Sequence, residues 1–79
     1  MSVDELKNKL SSLKEIKIKV YSLEYIIKEE NEEVIIYPLL YSNKKSYYKN
    51  IDDLLNYYTI YNESIVANLD RVSFVEGEN

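Results

Sequence analysis

Val3, Leu6, Leu10 and Leu13 recur at i, i+3, i+7 and i+10, one apolar stripe of a 3.6-residue period, while Lys7, Lys9 and Lys14 fall on the other face. Ser2 followed by Glu5 is a capping box, in which the hydroxyl and the carboxylate each satisfy a backbone N–H at a helix start. The spacing predicts a helix over residues 3–14. The period then shortens to two. Ile16, Ile18 and Val20 alternate with Lys17 and Lys19, as in a half-buried strand. After Val20 the phase slips, and Tyr21, Leu23, Tyr25 and Ile27 carry the apolar side. A slip of one residue turns every side chain over, so a β-bulge near Val20-Tyr21 is predicted to keep one face inward.

Lys28-Glu29-Glu30-Asn31-Glu32-Glu33 is too polar to bury, and the apolar pattern resumes over residues 34–41. Two apolar runs around a short polar loop containing Asn31 predict a β-hairpin. Pro38 has no N–H for a ladder, which places it at an edge or a bulge. Residues 42–49 read as a turn and a short strand. Asn50 is the expected N-cap of a second helix reaching about residue 58, with Ile51, Leu54, Leu55 and Tyr58 on one stripe. Asp52 and Asp53 then lie in its first turn, where they oppose the helix dipole. Thr59-Ile60-Tyr61 reads as extended and Asn62-Glu63 as a turn. Residues 64–70 fit a strand or a short helix, residues 72–75 a closing strand, and residues 76–79 a flexible tail.

The order α-β-β-(β)-α-β predicts one α+β domain over residues 1–75, a small mixed or antiparallel sheet with two helices on one face. The only glycine is Gly77, in the tail, so turns requiring φ > 0 must use another residue. Asparagine tolerates that conformation best, and Asn31, Asn43 and Asn62 each fall in a predicted turn.

A chain of 79 residues buries only about 60% of its unfolded surface, so it needs an unusually good core or a partner surface. With no cysteine there is no disulfide to compensate. That absence, an acidic N-terminus and the lack of any apolar run near membrane-spanning length suggest a cytoplasmic protein with no membrane contact. Isoleucine, lysine, asparagine and tyrosine supply 35 of the 79 residues, a bias expected of an AT-rich source such as a low-GC bacterium or its phage.

Candidate chemistry is sparse. Histidine is absent, which removes the commonest general base and metal ligand, and no thiol nucleophile exists. One glycine cannot build a phosphate-binding loop. Ser11-Ser12-Leu13-Lys14 matches S-x-x-K but lies on a predicted surface helix without its companion motifs. No enzyme, cofactor or metal site is therefore expected.

The net charge of −4 is segregated: residues 1–20 carry +2, 21–41 carry −4, 42–50 carry +3 and 51–79 carry −5. Two surfaces follow from that pattern. The first is basic and aromatic, with Lys44, Lys45, Tyr47, Tyr48 and Lys49 joined by Tyr57 and Tyr61. The second is acidic, with Glu29, Glu30, Glu32 and Glu33 at a hairpin tip together with Asp52 and Asp53. Nine tyrosines exceed what so small a core can bury with every hydroxyl satisfied, and exposed tyrosine favours protein interfaces. The expectation is a protein-binding module, a small regulator or inhibitor. The alternative is a single-stranded nucleic-acid binder acting through residues 44–49, where lysines would meet phosphates and tyrosines would stack on bases. The size argument leaves a monomer and a homodimer equally open.

Overall fold

The structure, a computed structural model, describes residues 1–75, so the tail expected over residues 76–79 lies outside the described residues. Helix α1 spans Val3–Leu13. The capping box forms as read: the Glu5 N–H donates to Ser2 Oγ at 3.1 Å, and the Ser2 N–H donates to Glu5 Oε1 at 2.9 Å. The helix stops one residue before the predicted end because Lys14 takes a left-handed conformation (φ 67°), its N–H donating to the Leu10 carbonyl at 2.7 Å. That reversal sends the chain into β1 (Glu15–Val20), whose burial alternates as its sequence does.

The predicted bulge at Val20-Tyr21 is instead a complete chain reversal. β2 (Leu23–Glu30) returns antiparallel with Leu23 opposite Val20, leaving Tyr21-Ser22 as a two-residue loop. Tyr21 has φ 58°, and positive φ at the first loop position alone marks a type II′ turn, where glycine is usual. A bulge and a tight turn produce the same phase slip, and with no Gly or Asn here the sequence carries no mark of the turn.

β3 (Glu33–Pro38) pairs with β2 from Glu30↔Glu33 to Tyr25↔Pro38, with Asn31-Glu32 between them. Both loop residues have positive φ (54° and 64°), the requirement of a type I′ turn. The polar stretch expected as loop is mostly paired strand, because a ladder uses the backbone and lets Lys28, Glu29 and Glu30 alternate outward. β4 (Ser46–Tyr48) adds to β3. Helix α2 (Ile51–Tyr57) begins at Asn50, whose side chain accepts the Asp53 N–H at 2.8 Å.

β5 (Thr59–Ile60) and β6 (Glu63–Ser64) form a minimal hairpin around Tyr61-Asn62 (φ 54° and 68°), so the turn sits one residue earlier than predicted. The ambiguous stretch after it is a 3₁₀ helix, Val66–Arg71, followed by β7 (Val72–Phe74) against β1. The sheet order is β4-β3-β2-β1-β7, antiparallel throughout. The α+β class and element order are as predicted, with one strand more in the main sheet and the separate β5-β6 hairpin in addition. Asn31 and Asn62 take positive φ as expected, but Asn43 does not; Lys14, Tyr21, Glu32 and Tyr61 carry it instead.

All helices lie on one face of the sheet. Leu6 and Leu10 of α1, Leu54 and Leu55 of α2, and Ile60 and Ile65 close over Ile16, Ile18, Val20, Ile27, Val34, Ile36 and Val72. Among the described residues no helix or second sheet covers the opposite face. One end of the sheet gathers the Tyr21-Ser22 and Tyr61-Asn62 turns and the 39–45 loop, and the other end holds Lys14, the Asn31-Glu32 tip and Asn50. Among the described residues no helix is long and apolar enough to cross a membrane.

Candidate functional site

Tyrosines organise the first end. The Tyr21 and Tyr61 rings meet edge to face at 5.2 Å, and the Arg71 guanidinium lies 5.8 Å over the Tyr21 ring. The Tyr21 hydroxyl donates to Oδ1 of fully buried Asn68 at 3.0 Å, and Asn68 Nδ2 donates to the Ser64 carbonyl at 3.0 Å. Tyr25 and Tyr58 form a second edge-to-face pair at 6.2 Å. Burial pushes the Tyr58 hydroxyl pKa above its ordinary value, with Tyr25 and Tyr48 adding to it. Burial likewise raises Tyr25, with a contribution from Tyr61, and raises Tyr48. These couplings trace a run of tyrosines, Tyr48, Tyr58, Tyr25, Tyr61 and Tyr21, from β4 to the first end.

Beside that run lies a groove of about 410 Å³ between Leu23–Tyr25 and Pro38–Tyr41. Leu40 on its rim is 81% exposed. Of ten exposed large apolar side chains in the described residues, six (Tyr21, Leu23, Leu39, Leu40, Tyr41 and Tyr61) belong to this end. Monomer surfaces ordinarily scatter such residues, whereas here they are concentrated at one end.

The basic and aromatic residues singled out in the sequence do not form one surface. Tyr47 faces the uncovered side of the sheet and is exposed, while Tyr48 points to the core side, the alternation of a strand. Lys45 lies 5.0 Å over the Tyr37 ring and Lys44 lies 5.3 Å over the Tyr41 ring. Lys49 sits at the far end with the hairpin tip. Tyr57 is exposed at the end of α2, and Tyr61 belongs to the tyrosine end.

The acidic residues are interleaved with cations. Glu29, Glu30, Glu32 and Glu33 border an open groove of about 460 Å³ together with Lys14 and Lys49. Lys14 pairs with Glu29 at 3.3 Å and Lys28 with Glu30 at 3.5 Å. Asp52 receives Lys7 at 3.1 Å, and Asp53 lies in the first turn of α2. These exposed pairs are each worth at most about 1 kcal/mol. Among the described residues no cluster of three or more acidic, histidine or cysteine side chains is arranged to hold a metal ion.

The periodicity marks Leu23 only as the apolar side of a strand, and it singles out neither Leu39 nor Leu40, the end of an apolar run, as a binding residue. Their signal was an apolar run continuing past Pro38, where the ladder should already be ending. No known protein family, curated protein or solved structure matches this chain.

Proposed function

We propose that this chain is a non-enzymatic interaction module that engages a partner protein through the apolar, tyrosine-rimmed end of its sheet. The observation that carries the reading is the gathering of six of the ten exposed large apolar side chains of the described residues at one end of the sheet, four of them (Leu23, Leu39, Leu40 and Tyr41) lining one groove. Tyrosine and arginine supply large contact area and polar tips at protein interfaces, and Tyr21, Tyr61 and Arg71 stand together at the same end of the sheet. Strand addition is a poorer mode of contact here. Both edge strands, β4 and β7, are three residues long, and Pro38 ends the β3 edge without a donor. The partner therefore contributes apolar side chains to the groove.

The test is capture from nuclease-treated lysate of the source cell on immobilised chain, with two variants. Leu40→Asp charges the rim of the groove, whereas Leu13→Asp charges an exposed leucine (60% exposed) at the end of α1. A protein retained by the wild type and by Leu13→Asp, and lost at least about tenfold with Leu40→Asp, is the expected result, since hot-spot changes cost 2 kcal/mol or more, by about. Equal retention by both variants sinks the reading.

A further inference from the structure

The apolar end of the sheet carries a knob beside a hole. Leu40 projects from the rim, and the groove of about 410 Å³ that it borders is lined by Leu23, Leu39 and Tyr41. Knob and groove lie side by side on one surface, so a two-fold axis between two copies lets each Leu40 enter the other copy's groove. The area fits the same occupant. The six exposed apolar side chains of this end, three of them tyrosines that bury about 150–250 Å² each when wholly covered, present on the order of 600 Å². A stable contact takes about 800 Å² from each partner, and the charged neighbours of the patch supply the remainder.

Those neighbours are arranged with a direction. Toward the β4 edge, Lys44 and Lys45 of the 39–45 loop are exposed, and neither makes an ion pair among the described residues. Toward the β7 edge, Glu63 follows the Tyr61-Asn62 turn, likewise exposed and without an ion pair among the described residues. Asp70 and Arg71 beside it are 3.6 Å apart and cancel, as do Lys19 and Glu24, which stand opposite each other in the β1–β2 ladder.

We propose that this end joins two copies of the chain in a two-fold dimer, with Leu40 of each seated in the other's groove and Lys44 and Lys45 of each facing Glu63 of the other. The inference rests on the apolar end being a contact surface and identifies its partner as a second copy. A two-fold axis across the sheet end sets the β4 edge of one copy against the β7 edge of the other, so a single placement satisfies knob, groove and charges together. A chain with so small a core and no disulfide gains stability from that burial. The contact uses the same patch on both copies, so the dimer closes and does not propagate.

The experiment is sedimentation equilibrium of the purified chain from about 1 µM to about 300 µM. A monomer–dimer equilibrium within that range is expected. Leu40→Asp should raise the dissociation constant at least about 30-fold, because each dimer loses the side chain twice, while Leu13→Asp leaves it unchanged. Lys44→Glu and Glu63→Lys should each weaken the dimer by about 3- to 10-fold, and the double variant should recover the loss, since every reversed charge again meets its opposite. A chain that stays monomeric throughout, a dimer indifferent to Leu40→Asp, an assembly larger than a dimer, or a double variant no tighter than the single ones would each overturn the proposal. A monomer whose capture of a lysate protein still depends on Leu40 overturns only the second copy as partner and leaves the interaction reading standing. A monomer that captures nothing removes both.

Discussion

The rings of Tyr21 and Tyr61 meet edge to face at 5.2 Å, each projecting from the first position of a different two-residue turn and each from a backbone with positive φ. Bulky residues rarely hold that conformation, which costs about 1–2 kcal/mol per residue. Two such residues persist in contact because the surroundings over-determine them: the Asn68 hydrogen bond, the Arg71 guanidinium and the ring pair itself.

The Tyr21 hydroxyl is therefore expected to matter more than that of Tyr61. Tyr21→Phe leaves the Oδ1 of fully buried Asn68 without its donor and should lower stability by about 1–3 kcal/mol. Tyr61→Phe removes a hydroxyl with no hydrogen bond among the described residues and should be near neutral. Urea midpoints of the two variants check the difference, and equal midpoints would contradict it.

Glu32 occupies the second position of a type I′ turn that glycine fills without strain. Glu32→Gly should stabilise the chain by about 0.5–1 kcal/mol, the left-handed strain relieved less the entropy glycine adds to the unfolded chain. Asn43→Gly, where φ is not positive, should bring no gain. Paired thermal melts decide between them, since about 1 kcal/mol shifts the midpoint by roughly 4–8 °C in a domain of this size.

Raised tyrosine pKa values make stability fall on the alkaline side. Tyr25, Tyr48 and Tyr58 hold their protons above the ordinary pKa of 10.0, so above that pH the unfolded chain releases protons that the folded chain retains. Their contribution is complete below pH 10.0 and is lost as pH rises from there through the folded values. Urea midpoints should be flat in this respect up to about pH 9 and then decline. Tyr58→Phe should decline less steeply, and an identical slope would exclude Tyr58 as a source.

Asn50 closes the start of a helix only seven residues long. Asn50→Ala should cost about 1 kcal/mol through the unpaired Asp53 N–H. Circular dichroism with urea unfolding reads this directly, and an unchanged midpoint would mean that packing of Leu54 and Leu55 alone holds α2.

The local signals were legible because each is a short-range preference. The Ser2–Glu5 capping box, the Leu6 and Leu10 stripe, the Ile16-Ile18-Val20 alternation and the Asn50 cap act within a turn or two of chain, and the structure contains each of them. The first reversal escaped because Tyr21 gives no local sign of positive φ; Asn68 and Tyr61, 47 and 40 residues away, help to hold it there.

The sequence by itself determined the α+β class, the order of the main elements and the apolar stripes of α1, β1 and α2, since periodicity and capping depend on neighbouring residues. Only the tertiary structure decided which surfaces exist. Pairing β3 with β2 and β4 turned Tyr37 and Tyr47 to one face and Tyr48 to the other, dividing a segment that reads as continuous along the chain. Folding likewise brought Tyr21, Leu40 and Tyr61 to a single end. A surface is a relation between residues distant in sequence, and its composition is fixed by register and by where each turn reverses the chain.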